Sequence, residues 1–155
     1  MPELDIPPAV GAPGVDHSAL KVNQAGIIAT VLVAFVASAF WWAAVWLIPA
    51  LAVVLLLGTA RPRLALFKQV YLKVLLPAGA VRPRPVEESP APHNFAQGLG
   101  GIFLVVASIL LPLAPAAALA LALLVAVLAF VNLAFGYCLG CQIYFQLARR
   151  GLIAA

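Results

Sequence analysis

Charge is what this sequence has least of. Only 9% of its 155 residues are Asp, Glu, Lys or Arg, against about 25% in an average soluble domain. Acidic residues are scarcer than basic ones, five against nine, and no charge of either sign falls between Ala25 and Ala60 or between Gly98 and Ala148. A proton-coupled transporter would need an acidic group inside those stretches, so that class is disfavoured. No Ser-His-Asp pattern, phosphate-cradling glycine loop or paired catalytic carboxylates appear, which removes support for classical hydrolase and nucleotide chemistry. Glu87 and Glu88 stand in a proline-rich stretch and read as solvated. Cysteine is almost absent too: two residues cannot build a disulfide framework.

What fills the space is apolar: 65% of the residues are hydrophobic and the mean hydropathy is +1.11. A helix crossing the hydrocarbon core needs about 20 residues. At about 1.5 Å per residue the first uncharged block would reach about 54 Å as one helix, well past a core of about 30 Å. Each block therefore folds back as a hairpin. The expected fold class is all-α, an integral membrane bundle of four transmembrane helices with an amphipathic interfacial helix in the middle loop. The spans read as about 20–39, 43–60, 94–111 and 116–141, with the loop at 61–92, and 16–155 as a single membrane domain. Residues 1–15, rich in proline and glycine, read as a disordered tail without the basic start of a secretory signal.

Local signals refine this. Asp16 or Ser18 can cap the first helix. Phe40, Trp41, Trp42 and Trp46 form an interfacial aromatic group at the first turn, and Pro112 to Pro115 marks the second. Between the hairpins Leu64, Phe67, Tyr71 and Val74 recur at helical spacing, as on a helix lying along a membrane surface or packed on its neighbours. The prolines from Pro83 to Pro92 suggest an extended linker. All nine basic residues lie outside the two hairpins: Lys21, six in the middle loop, and Arg149 and Arg150 in the tail. The positive-inside rule then places both termini and the middle loop in the cytoplasm. The basic excess is thus explained by orientation and lipid headgroups, not nucleic acid.

The chemistry-bearing stretch is Gly136-Tyr137-Cys138-Leu139-Gly140-Cys141. Read as the end of the fourth span, it puts both sulfurs on one helix face at the cytoplasmic edge. There the dipole of their own helix disfavours a thiolate while the N-terminal ends of spans one and three, with Lys21 or a protonated His93, favour it, so the sign stays open. Asn23, Gln24, His93, Asn94 and Gln97 stand at the same depth and form a candidate polar cluster around the thiols, and Asn132 is the candidate intramembrane polar residue. A metal would find two cysteines and His93 but no evident fourth ligand, so neither a metal nor another cofactor is expected.

Three motifs carry a resemblance: Lys21 to Gln24, Phe95-Ala96-Gln97, and the Gly-x-Cys-x-Gly-Cys-x-x-Tyr run from Gly136 to Tyr144. Together, over about Asp16 to Arg150, they resemble domain of unknown function family 4395, small bacterial four-span membrane proteins. The family pattern has Arg where this chain has Lys21 and Asn94. The resemblance implies the topology, a bacterial inner-membrane location and no established activity, with a thioredoxin-like or rhodanese-like cytoplasmic protein as a suggested partner. Two functional readings follow. Cys138 and Cys141 act as a catalytic thiol redox or sulfur-relay pair, or the protein is a non-enzymatic scaffold or small transporter-like bundle that docks a soluble partner through its basic loop.

Overall fold

The computed structural model describes residues 14–153. Of the expected tail, 1–13 lie outside the described residues, while Gly14 and Val15 belong to a short strand.

Among the described residues, four helices are long and apolar enough to cross a membrane. Helix α1 is His17–Ser38, α2 is Leu47–Ala60 led in by a 3-10 turn at Trp42–Trp46, α4 is Ala91–Leu110 and α5 is Pro115–Phe135. Their outer faces are apolar: Leu32, Val36, Val53, Ile102, Ile109, Val127 and Phe130 are exposed. A water-soluble bundle inverts that pattern, so these side chains face lipid. The chain is an integral, multi-pass membrane protein. Inside, α2 packs on α4, α4 on α5, α5 on α1 and α1 on α2, closing a ring around Val31, Ile48, Leu55, Leu104 and Ala118. The far-end turns fall where expected, at Ala39 to Trp41 and at Leu111 to Ala114, with Pro115 in the first turn of α5.

The near end is more built than a linker and a tail. Strand β1 (Gly14–Asp16) pairs antiparallel with β2 (Pro85–Glu87), so the proline stretch supplies a strand instead of an unattached extended segment. Asp16 also caps α1, its Oδ1 accepting from the Ser18 N–H at 2.9 Å. The same carboxylate accepts from the Arg84 N–H at 3.0 Å and the Tyr71 hydroxyl at 2.5 Å. Ser18 Oγ donates to the Arg82 carbonyl. One acidic side chain thereby pins the start of the first span to the loop between the hairpins.

That loop holds a short helix α3 (Leu66–Val70) that continues as a π turn over Tyr71–Leu75. Only half of the expected apolar stripe turns inward. Phe67 packs over Gly26 and against the core, and Tyr71 is buried, whereas Leu64 and Val74 are exposed. Gly26 is needed there, because a Cβ would overlap the Phe67 ring.

The Asp16 latch has a pH signature. Burial pulls its carboxyl upward, but bonds from Tyr71 and the Arg84, Ser18 and Ala19 amides outweigh this and hold it below 3.8. Its stabilisation is complete above 3.8 and is lost as pH falls through the depressed folded value. Tyr71 is pushed up to about 12, by burial first and by Asp16 second. The phenol's contribution is full below 10.0 and fades as pH rises through about 12. Thermal unfolding in detergent should show Asp16→Asn and Tyr71→Phe each lowering the midpoint at neutral pH. The double variant should lose less than the sum, and Asp16→Asn should flatten the acid limb.

Candidate functional site

The last span does not run on through the cysteines. Helix α5 stops at Phe135, and Gly136 takes the left-handed conformation (φ 69°), its N–H returning to the Asn132 carbonyl at 2.9 Å. Glycine alone adopts that conformation without strain, and it is the usual helix terminator. After Tyr137 a separate amphipathic helix, α6 (Leu139–Arg149), begins with Cys138 as its N-cap. This corrects the expected 116–141 span and reverses the contribution of the cysteines' own helix dipole. The sulfurs sit at the N-terminal end of their helix, where the dipole favours a thiolate.

Cys138 and Cys141 form a disulfide with Cα atoms 5.2 Å apart. Cys138 is half-buried and Cys141 buried. The Cys141 N–H donates to Cys138 Sγ at 3.2 Å, the bond that would stabilise a Cys138 thiolate once the pair is reduced. On the other side, His93 Nδ1 lies 3.7 Å from Cys141 Sγ.

His93 is oriented by a residue that the sequence reading left in solvent. Glu88 Oε1 accepts from His93 Nε2 at 2.9 Å and from His17 Nε2 at 2.7 Å. Burial alone would raise the Glu88 carboxyl, but these two bonds bring it net below its ordinary 4.5. With Nε2 holding the proton toward the carboxylate, neutral His93 presents the Nδ1 lone pair to Cys141. Carboxylate, imidazole and sulfur thus stand in line, as in base-assisted thiol chemistry. No spacing in the sequence marks Glu88, because the pairing with His17 crosses 71 positions.

Behind the disulfide is a cavity of about 330 Å³. Asn23, Gln24, His93, Gln97 and Asn132 all line it, together with Cys138. Asn94 does not; it is half-buried in the first turn of α4, its N–H bonded to the Pro90 carbonyl. Asn23 Nδ2 donates to Gln97 Oε1 and Gln97 Nε2 to the Leu55 carbonyl, each at 3.1 Å, tying α1, α4 and α2 together. Gln24 and Asn132 make no side-chain hydrogen bond among the described residues.

The resemblance motifs meet in space. Phe95 packs at a tilt against Tyr144, with ring centroids 5.7 Å apart. Ala96 seats Gly140, where a Cβ would come within 2.6 Å of the Ala96 Cβ. Gln97 reaches Asn23. The profile of the family described as "Domain of unknown function (DUF4395)" matches residues 15–149. The chain belongs to the DUF4395 family. No curated protein and no solved structure matches it. In this DUF4395 protein the two later motifs are the two halves of one contact, the docking of α6 on α4.

When reduced, the donor atoms of His93, Cys138 and Cys141, all within 4.8 Å of one another, offer three ligands of the kind zinc takes. A fourth would have to come from solvent or a partner.

Gly140→Val should lift α6 from α4 at a cost of about 1–3 kcal/mol, the range for an overpacked contact. A lower thermal midpoint and faster alkylation of the reduced cysteines would report it, and Ala96→Gly should restore part of both.

Proposed function

We propose that this protein is a membrane-embedded thiol–disulfide exchange protein whose Cys138–Cys141 pair accepts electrons from a soluble dithiol partner at the cytoplasmic face of a bacterial inner membrane. The observation that carries the reading is the placement of the pair at the N-terminus of α6, with a half-buried first sulfur and a buried second sulfur beside His93. Cys138 is the electrophile for an incoming thiolate. The partner's sulfur bonds to Cys138, and the electron pair of the broken disulfide leaves on Cys141, beside His93 Nδ1. A second thiolate of the partner then attacks the mixed disulfide, closing a disulfide in the partner and leaving both cysteines reduced.

The cytoplasmic assignment follows from the basic residues. All six in the middle loop are exposed, and no carboxylate pairs with them among the described residues. They suit anionic headgroups and an acidic partner surface. A thioredoxin-like or rhodanese-like protein is the partner class this reading favours.

Cys141→Ser leaves Cys138 free to hold, in a stable mixed disulfide, a partner whose own second cysteine has been replaced by serine. Non-reducing electrophoresis of that variant should show a trapped adduct, about tenfold stronger than for Cys138→Ser, whose remaining thiol is buried. A membrane-impermeant maleimide should label Cys138 in inside-out vesicles and leave it unlabelled in intact cells. Equal trapping by both variants, or labelling from outside, would overturn the mechanism or the orientation respectively. His93→Ala should slow the reverse step, in which Cys141 must lose its proton to close the disulfide again, while His93→Gln should restore packing but not that rate.

A further inference from the structure

We propose that the cavity behind the cysteines binds the ring of a lipid-soluble quinone, and that the reduced pair passes its two electrons to it. The inference rests on the thiol-exchange reading above and names the second substrate of that site.

Exchange between soluble thiols needs no bilayer. A pair built into a four-span bundle gains access to one kind of electron carrier that soluble proteins lack, the quinones dissolved in the lipid. The cavity suits such a guest. Its volume of about 330 Å³ lies at the small end of the range of about 300–1,000 Å³ for ligand pockets, room for one substituted ring. Its walls are apolar along α4 and α5, with Phe103 and Leu128 among them, and Cys138 stands in the wall. The amides of Gln24 and Asn132 reach the same space without side-chain hydrogen bonds among the described residues, and an amide N–H₂ is a donor suited to a quinone carbonyl. Asn132 stands in the last turn of α5, half-buried at the cavity wall, where its amide can meet a ligand oxygen.

The redox balance closes with groups already named. The Cys138 thiol adds through its sulfur to a ring carbon as its proton passes to the ring oxygen. Cys141, deprotonated by His93, attacks Cys138 Sγ. The carbon–sulfur bond breaks, its electron pair stays on the ring, and the proton held by His93 completes the quinol. Two thiols become one disulfide, and one quinone takes two electrons and two protons. The partner dithiol then reduces the pair again.

The test uses the full chain in lipid nanodiscs, reduced, freed of reductant and kept anaerobic. A short-chain benzoquinone is added, and quinol absorbance and remaining thiols are followed together. One quinol should form for each pair oxidised. Gly100→Leu fills the cavity from a position whose Cβ would meet only Val125, and it should slow the reaction about tenfold or more through misplacement of the ring. A pair that exchanges with glutathione disulfide but leaves the quinone untouched overturns this inference and spares the thiol reading. A pair inert to both overturns the two together. An unchanged rate in Gly100→Leu assigns the reaction to the surface and overturns the cavity's role. Should that variant not fold, an azidoquinone photolabel on the Cys138→Ser, Cys141→Ser protein decides. Labelled peptides from α4 or α5 support the site, and labelling confined to the far-end aromatics overturns it.

Discussion

A single backbone torsion sets the electrostatic surroundings of the cysteine pair. Had α5 continued through position 136, both sulfurs would lie where unpaired carbonyls gather at a helix end and repel negative charge. Gly136 turns the chain instead, and the following residues open a new helix with Cys138 at its positive end. The amide of Cys141 then points at Cys138 Sγ. The change of sign requires no additional charged residue, which suits a segment that must sit against a bilayer.

The cysteine end of the bundle is held by polar contacts between segments far apart in the chain. Asp16 joins α1 to Tyr71 and Arg84 of the middle loop; Glu88 joins His17 to His93; Gln97 joins Asn23 to the backbone of α2. Each tie has one partner near the start of α1. In lipid the bundle gains little from hydrophobic burial between helices, so such hydrogen bonds and close small-residue contacts carry much of the specificity of packing. Gly140 on Ala96 and Gly26 under Phe67 are contacts of the second kind.

The sequence was a good guide wherever hydrocarbon thickness and chain length decide the outcome. Four spans, two tight far-end turns and the Asp16 cap all follow from uncharged length, proline position and capping chemistry, and all are present. Family membership was legible in three short motifs, although their physical meaning, two faces of one helix contact, was not. The break at Gly136 carried a signal, a glycine before a possible N-cap, but the unbroken apolar run around it masked that signal. Ser108, a polar side chain within α4, donates to the Leu104 carbonyl. Glu88 and the Val15–Val86 strand pairing had no local signature, because contacts across about 70 positions leave no periodicity to read.

The far end of the bundle is as bare as the cysteine end is furnished. Phe40, Trp41, Trp42 and Trp46 lie exposed there, beside turns of three or four residues and no charge. Such a surface sinks into the headgroup layer and gives a soluble molecule nothing to grasp. On the proposed reading, a soluble partner meets the protein from the opposite side of the membrane and a lipid-dissolved one comes sideways through the bilayer. The molecule has a front and flanks, but no back.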